Sequence, residues 1–277
     1  MIYLYITGFA AAMIAALALT PAVKRFALRI GAIDVPNHRK VHTKTMPRLG
    51  GLAIYIAFAA ASLLALPFLP EGFFAKYDDL LFSLWIGGAI IVLTGALDDK
   101  FDLPAKVKLV CQIAAACLVV FGFGIRVNLL NLPFGEGGMH LETWIGIPLT
   151  ILWIVGVTNA INLIDGLDGL AAGVSGIAIV AMLAVAAQIG NPGVILLCTL
   201  LLGGIIGFLF FNFHPAKIFM GDSGALFLGF SLAILSLYGF KQVTLVSFIT
   251  PLLIIGVPLS DTFFAIVRRW VNKKPIF

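Results

Sequence analysis

Residues 194–213 read VILLCTLLLGGIIGFLFFNF, a stretch of 20 residues that contains no charged side chain. An α-helix of about 20 apolar residues is needed to cross the hydrocarbon core of a bilayer. This stretch therefore predicts a transmembrane helix, and comparable stretches occur along the rest of the chain. We predict nine spans, near residues 2–21, 49–69, 80–97, 109–125, 147–164, 172–189, 194–213, 224–240 and 244–266.

The composition of the whole chain agrees with an all-α polytopic membrane protein. Of the 277 residues, 61% are hydrophobic and only 11% are charged. A soluble domain carries roughly a quarter charged residues, so a soluble globular enzyme, a disordered chain and a fibrous repeat are excluded. The net charge of +5 then concerns membrane orientation rather than nucleic-acid binding. We find no soluble domain, and residues 1–277 are predicted to form a single integral-membrane domain.

The distribution of positive charge predicts how the spans are oriented. No Lys or Arg precedes the first span, whereas Lys24 and Arg25 follow it, which favours a membrane helix with its N-terminus outside over a secretory signal. In this orientation the inside loops hold 15 of the 18 Lys and Arg residues, as expected for cytoplasmic loops. These loops lie near 22–48, 98–108, 165–171, 214–223 and 267–277. On the outside, residues 125–144 predict a short extracytoplasmic β-hairpin.

Carboxylates also gather on the predicted inner side, where Asp98 and Asp99 end the third span. Adjacent carboxylates repel each other and are costly near lipid unless they are hydrated, paired or bound to a metal. Mg²⁺ suits such a pair because it prefers oxygen ligands and keeps substrate phosphates around it. The alternative is a solvated loop start in which Lys100 and Lys106 pair with the acids. A third acid, Asp222, precedes the eighth span, where it caps the helix, binds a metal or does both.

The segment TNAINLIDGLDGLAAG, residues 158–173, places polar side chains at every third position in apolar surroundings. On a helix this spacing keeps the side chains on one broad face, and the interspersed glycines let the helix end or bend. Polar residues can also join helices within a membrane. Four of them at regular spacing favour a binding face. These residues are Asn159, Asn162, Asp165 and Asp168.

The first inside loop is basic and reads IDVPNHRKVHTKTMPRLGG over residues 33–51. It is either an anchor for anionic lipid headgroups or a phosphate-binding loop in which Arg39, Lys40 and Arg48 contact a phosphorylated substrate. Acids and cations at the ends of spans suit the transfer of a phosphoryl group. A transporter would place its polar residues nearer the bilayer midplane, so an enzyme is favoured over a carrier.

Taken together, these motifs resemble the polyprenyl-phosphate N-acetylhexosamine-1-phosphate transferases. The matching stretches are DVPNHRKVHTKTMPRLGG, LDDK, NAINLIDGLDGLAAG, FMGDSGALFLG and VPLSDTFFAIVRR, and they extend over almost the whole chain. The PRLGG form resembles the branch that uses UDP-N-acetylglucosamine rather than the branch that uses UDP-N-acetylmuramoyl-pentapeptide. The resemblance implies that undecaprenyl phosphate attacks the sugar-bearing phosphate of the nucleotide sugar at the cytoplasmic face of a bacterial membrane. UMP is released, and a lipid-linked precursor of peptidoglycan, teichoic acid or lipopolysaccharide is formed.

The resemblance also implies a role for each candidate residue. Asp98 and Asp99 would be catalytic carboxylates that engage the lipid phosphate, and Asp99 and Asp222 would bind Mg²⁺, for which Mn²⁺ could substitute. The nucleotide sugar would bind along the polar face of residues 158–173, with Phe219, otherwise a packing residue at the membrane edge, stacked on uracil. The phosphates would be bound by Arg39, Lys40, Arg48 and Lys108. A membrane-embedded homodimer is allowed on family grounds.

One departure from the family pattern concerns the end of the chain. Family members carry a His-rich D-x-x-H-x-H-H loop and further helices after VPLSDTFFAIVRR, whereas this chain ends at residues 273–277, KKPIF. We therefore expect a domain that lacks the His-rich loop and the last helices. Two alternatives stay open: a pentapeptide-sugar transferase, and a membrane protein that binds lipid or nucleotide sugar without turnover.

Overall fold

The computed structural model describes residues 1–36, 45–130 and 139–239, together with 264, 267–269 and 271–272. These parts of the chain contain eight helical segments that are long and apolar enough to cross a membrane. The prediction of an all-α polytopic membrane protein is confirmed. The predicted ninth span, 244–266, lies outside the described residues except for Phe264.

Nine α-helices are bounded within the described part of the chain. Their bounds are α1 (Ile2–Ile30), α2 (Gly50–Ala65), α3 (Phe73–Phe82), α4 (Gly88–Phe101), α5 (Ala105–Cys117), α6 (Thr143–Ile164), α7 (Leu170–Ile189), α8 (Pro192–Asn212) and α9 (Gly221–Gly239). A 3₁₀ turn, Leu66–Phe68, extends α2. A π-helical turn, Ser83–Gly87, joins α3 and α4 into one span, and a second, Leu118–Gly122, extends α5.

The first span is longer than the sequence predicts, because α1 runs past its predicted end near residue 21 to Ile30. It ends at Gly31, whose φ of 75° is left-handed, and the amide of Ala32 bonds back to the carbonyl of Ala27. Glycine adopts this conformation without the steric cost that other residues bear, so it ends the helix. The third span likewise begins at Phe73 rather than near residue 80.

Two small antiparallel ribbons accompany the helices. Strands β3 (Leu129–Leu130) and β4 (Met139–His140) pair within the predicted hairpin, and its turn, residues 131–138, lies outside the described part of the chain. Strands β1 (Ile33–Asp34) and β2 (Met46–Pro47) form a second ribbon that the sequence did not predict. It brings the end of α1 to the start of α2.

Helix α9 is the centre of the bundle, with 17 of its 19 residues buried. It packs against α2, α4, α6 and α7. Glycines allow the closest approaches, since a Cβ atom at Gly51 of α2 or at Gly95 of α4 would collide with the backbone of Ser223 and its neighbours. Small residues of this kind let helix backbones approach closely in membranes. The first turn of α9 is thereby fixed against two other helices.

The polar connections of the bundle meet at one end, which we call the polar end. The amides of Gly50 and Gly51 donate to the carbonyls of Phe219 and Met220, so the segment before α2 pairs with the segment before α9. The ends of α4 and α6 and the starts of α5 and α7 lie at the same end, as their side-chain contacts below show. The candidate site is built from these connections.

Candidate active site

A lysine bridge between two carboxylates forms the middle of the site. Lys108 Nζ lies 3.0 Å from Asp98 Oδ2 and 2.9 Å from Asp222 Oδ2. The three side chains come from the last turn of α4, the first turn of α5 and the first turn of α9. One cation thus binds two acids that would otherwise repel each other.

Asp98 and Lys108 occupy unfavourable positions within their own helices. A carboxylate in the last turn of a helix and an ammonium in the first turn both oppose the helix dipole. Asp98 and Lys108 are placed in this way, and Asp98 Oδ1 also accepts the amide of Leu103 at 2.8 Å. Their positions are therefore explained by the bridge rather than by the stability of their own helices.

Asp99 is buried, and its carboxylate caps a helix other than its own. Its Oδ1 accepts the amide of Asp222 at 2.9 Å, and its Oδ2 accepts the amide of Ser223 at 3.2 Å. The first amides of a helix have no partner within it, so the carboxylate satisfies two free donors of α9. The sequence offered Asp222 as the capping residue. The structure gives that role to Asp99, while the Asp222 carboxylate binds Lys108.

The four polar residues of the segment 158–173 do not share one helix face. Asn159 and Asn162 lie on α6, but this helix ends at Ile164, and Asp165 and Asp168 lie in the connection to α7. The sequence prediction of a single helical face is therefore wrong for the last two residues. The glycines of this segment end the helix one turn earlier than a continuous face requires.

Two of these four residues face the bridge. The Asn162 amide interacts with the carboxylate of Asp222. Desolvation raises the pKa of Asp165 to about 7, with repulsion from Asp222 and Asp99 acting in the same direction. Near neutral pH Asp165 is therefore partly protonated, which limits the negative charge that collects around the bridge.

Asn159 pairs instead with a buried residue of α5. Its Nδ2 lies 2.5 Å from Gln112 Oε1, and Gln112 Nε2 lies 3.3 Å from Asn159 Oδ1. The sequence analysis did not single out Gln112. The sequence feature that could have identified Gln112 is that it is a lone amide side chain within a predicted span, four residues after Lys108.

Asp168 ties two connections together at the polar end. Its Oδ2 lies 3.0 Å from His214 Nδ1 and accepts the amide of Ala216 at 3.0 Å. The connection between α6 and α7 is thus bound to the connection between α8 and α9. The latter also carries Phe219, which is half-buried and whose amide donates to the carbonyl of Pro47.

Arg48 lies at the edge of the acidic cluster. Its guanidinium is 3.8 Å from Asp34 Oδ1, and its positive charge acts on both Asp99 and Asp165. The next residue, Leu49, has a φ of 82°, a left-handed conformation that costs about 1–2 kcal/mol outside glycine. The backbone around it is held by the pairing with the segment before α9. The other predicted phosphate-binding residues, Arg39 and Lys40, lie outside the described residues.

The site offers oxygen donors of the chemistry that Mg²⁺ prefers, namely carboxylates and an amide. Among the residues that the structure describes, however, no group of three or more His, Cys, Asp or Glu side chains is arranged to hold a metal ion. Lys108 binds both Asp98 and Asp222, and both oxygens of Asp99 accept backbone amides. The donor set fits a hard cation in kind, and in the observed arrangement the ammonium of Lys108 occupies two of these carboxylates.

The chain is similar to members of a known protein family. The family model described as glycosyl transferase family 4 matches residues 81–240, a range that contains the lysine bridge, the Asp99 cap and the amide pair. A "probable undecaprenyl-phosphate N-acetylglucosaminyl 1-phosphate transferase" from Bacillus subtilis strain 168 is 47% identical over 98% of this chain and 73% of its own length. A decaprenyl-phosphate N-acetylglucosaminephosphotransferase from Mycolicibacterium smegmatis is 37% identical over 96% and 70%. A phospho-N-acetylmuramoyl-pentapeptide-transferase from Levilactobacillus brevis is 37% identical over 69% and 61%.

Proposed function

Because the chain belongs to glycosyl transferase family 4, we propose that it transfers N-acetylglucosamine 1-phosphate from UDP-N-acetylglucosamine to undecaprenyl phosphate and releases UMP. The observation that carries the proposal is the lysine bridge, which unites acids from α4 and α9 with a cation from α5 at one end of a membrane bundle. The choice of sugar is supported by the Bacillus relative, which matches more of this chain, at higher identity, than the pentapeptide transferase does.

The reaction is a displacement at phosphorus. An oxygen of the lipid phosphate forms a bond to the sugar-bearing phosphorus of the nucleotide sugar, and the bond from that phosphorus to the oxygen of UMP breaks. UMP leaves with the electron pair, and a lipid-linked sugar pyrophosphate remains. A phosphate monoester is largely ionised near pH 7, so the acceptor needs no base and catalysis depends on positioning and charge neutralisation.

Lys108 supplies the charge that this reaction needs. Its ammonium is held between two carboxylates and is partly exposed, so incoming phosphate oxygens can replace one of them as its partner. Asp98 and Asp222 hold the lysine in place before the substrates arrive. Arg48, whose positive charge acts on Asp99 and Asp165, neutralises a second phosphate.

The remaining residues bind the nucleotide sugar or a metal in this proposal. Asn162, Asp165 and Phe219 contact the nucleotide, and Asp168 holds the connection that carries Phe219. Asp222 and, after a change in its partners, Asp99 would hold Mg²⁺, whose charge would stabilise the phosphates. Arg39 and Lys40 would complete the phosphate contacts.

The polar end faces the cytoplasm of a bacterial cytoplasmic membrane in this proposal. The end of α1 that carries Lys24, Arg25 and Arg29 leads into this end, and positive residues prevail in cytoplasmic loops. A nucleotide sugar then reaches the site from water, and the lipid phosphate reaches it from the inner leaflet.

Release of UMP by the purified chain tests the proposal. The chain in detergent is given undecaprenyl phosphate, Mg²⁺ and either UDP-N-acetylglucosamine or UDP-N-acetylmuramoyl-pentapeptide. We expect UMP with the first nucleotide alone, and its loss on Asp222→Asn substitution in protein that stays folded. Release with the pentapeptide nucleotide alone would make the chain a pentapeptide-sugar transferase. Binding of nucleotide sugar without UMP would make it a binding protein.

A further inference from the structure

The amide pair between Gln112 and Asn159 is a closed hydrogen-bonded unit inside the membrane. Each amide donates to the oxygen of the other, and Asn159 Nδ2 also lies 2.8 Å from the carbonyl of Val155. Gln112 is only 2% exposed. A buried amide without partners would be costly in hydrocarbon, so the pair strongly favours one relative position of α5 and α6.

The position of this pair relates it to the site. Gln112 follows Lys108 by four residues on α5, and Asn159 precedes Asn162 by three residues on α6. Residues at these spacings lie on the same face of a helix, one turn apart. The amide pair therefore lies one turn deeper in the bundle than Lys108 and Asn162. Both of these residues interact with Asp222.

We propose that Gln112 is a positioning residue, which through Asn159 fixes the rotation of α5 so that Lys108 bridges Asp98 and Asp222. This inference rests on the proposed function for its effect on turnover, but its effect on Lys108 is independent of turnover. The ammonium of Lys108 projects away from the axis of α5, so rotation of the helix about that axis moves it away from both carboxylates. The effect of Gln112 on the reaction is thus exerted by way of Lys108.

A second polar contact of α6 provides a matched control. Trp153 Nε1 lies 3.1 Å from Ser236 Oγ, a contact that joins α6 to α9. Trp153 precedes Asn159 by six residues, or about 9 Å along the helix. Ser236→Ala removes a helix-to-helix hydrogen bond of the same kind without touching α5. A general loss of stability should change the reactivity of Lys108 in both variants. A displacement of Lys108 should change its reactivity only in the Gln112 variant.

The test uses the full chain in detergent and four variants: Gln112→Asn, Asn159→Gln, the double substitution and Ser236→Ala. Lysines are acetylated with acetic anhydride, and the rate at Lys108 is measured by mass spectrometry against exposed Lys106 as internal reference. An ammonium held by two carboxylates reacts slowly. We expect each single substitution in the pair to raise the relative rate at Lys108 at least threefold. The double substitution keeps the summed length of the two amides and should restore the slow rate, and Ser236→Ala should leave it unchanged.

Kinetics of UMP release provide the second readout. We expect each single substitution in the pair to lower kcat about tenfold or more, with KM for the nucleotide sugar changed less than twofold, because displacement of a catalytic group affects the reaction more than binding. Recovery of kcat in the double variant is expected as well.

Equal relative acetylation of Lys108 in Gln112→Asn and in the unsubstituted chain would overturn the proposal, whatever the kinetics. Faster acetylation of Lys108 in Gln112→Asn, combined with no UMP release by the unsubstituted chain, would support the positioning of Lys108 and reject the proposed function. The two proposals can therefore fail separately.

Discussion

At the scale of single residues, the charges of the site depend on one another. Lys108 lies between two carboxylates, and neither acid is fully exposed to water. Removal of the cation leaves two acids facing each other in a poorly solvated place, where repulsion is strong. The contribution of Lys108 is therefore electrostatic in the resting protein as well as in the reaction.

Substitution of Lys108 by Met should reduce UMP release at least a hundredfold and lower the free energy of unfolding by up to about 3 kcal/mol, the lower end of values for a broken buried pair. Lys106→Met removes an exposed ammonium from the same helix and should change stability by less than about 0.5 kcal/mol. Denaturant titration in detergent and initial rates measure both effects. Full activity of the Lys108 variant would remove the lysine from the mechanism.

Asp99 has a different role, because its two oxygens accept amides of α9 rather than a side-chain cation. We expect Asp99→Ala to lower the free energy of unfolding by about 2 kcal/mol, at the upper end for loss of a helix cap. Asp99→Asn retains one acceptor and should lose about half as much. Thermal unfolding in detergent, with Asp102→Asn at an exposed neighbouring position as control, measures the difference. Unchanged stability in Asp99→Ala would contradict the capping role.

At the scale of elements, the connection between α8 and α9 is held from two sides. Asp168 binds it from the α6–α7 connection, and the segment before α2 pairs with its backbone. Phe219 belongs to the second attachment, since its amide donates to the carbonyl of Pro47 and its carbonyl accepts the amide of Gly50. The shape of the proposed nucleotide subsite is therefore determined by a connection rather than by a helix.

Loss of the Asp168 attachment should weaken nucleotide binding. We expect Asp168→Ala to raise KM for UDP-N-acetylglucosamine about fivefold or more while KM for undecaprenyl phosphate stays within a factor of about two, because the lipid phosphate contacts other residues. Rates of UMP release at varied concentrations of each substrate measure this. The control is Asn191→Ala. It removes the side chain that accepts the amide of Val194 at the start of α8, the end of that helix remote from Asp168. Equal changes in both KM values would argue against a specific role in the nucleotide subsite.

The elements themselves follow from the sequence to a large extent. Stretches such as 194–213 are long enough and apolar enough that only a membrane helix satisfies their backbone groups. The ends are less predictable, because α1 continues through Lys24 and Arg25 to Ile30, where hydropathy no longer distinguishes helix from loop. Its end depends on Gly31, whose conformation the apolar pattern does not reveal.

The site is predictable as a set of residues but not as an arrangement. Asp98 and Asp222 were identified from local sequence and Lys108 from the family resemblance, yet Lys108 and Asp222 are 114 residues apart. Their pairing depends on how α4 and α6, which both pack against α9, hold α5 beside them, and local sequence does not report helix packing. The same reason explains the Asp99 cap and the Gln112–Asn159 pair. Each polar group finds its partner on another helix.

At the scale of the whole molecule, the bundle is asymmetric from end to end. The polar end carries the acids and cations of the site, while the other end contains the connection of α2 to α3 with Glu71. Most positive residues of the described chain lie towards the polar end, on the second half of α1, the end of α4, the start of α5 and the connections before α2 and α9. This asymmetry predicts that α1 has its N-terminus outside.

Cysteine labelling in whole cells checks this orientation. In a background with Cys111, Cys117 and Cys198 replaced by Ala, we expect Glu71→Cys to react with a membrane-impermeant maleimide in intact cells. Lys106→Cys should react only after the membrane is permeabilised. The reverse pattern would place the polar end outside and would contradict access of a cytosolic nucleotide sugar.

The burial of α9 also constrains how the protein is assembled during synthesis. Its mean hydropathy is the lowest of the eight spans within the described chain, and it is also the most buried of them. Lipid alone is therefore a poor environment for this helix as it leaves the ribosome, since its small and hydroxyl side chains suit protein neighbours. Helices α2, α4, α6 and α7, which surround it, all precede it in the chain. The helices that pack around α9 are thus already synthesised when it emerges. The order of the helices along the chain therefore matches the order in which they need to pack.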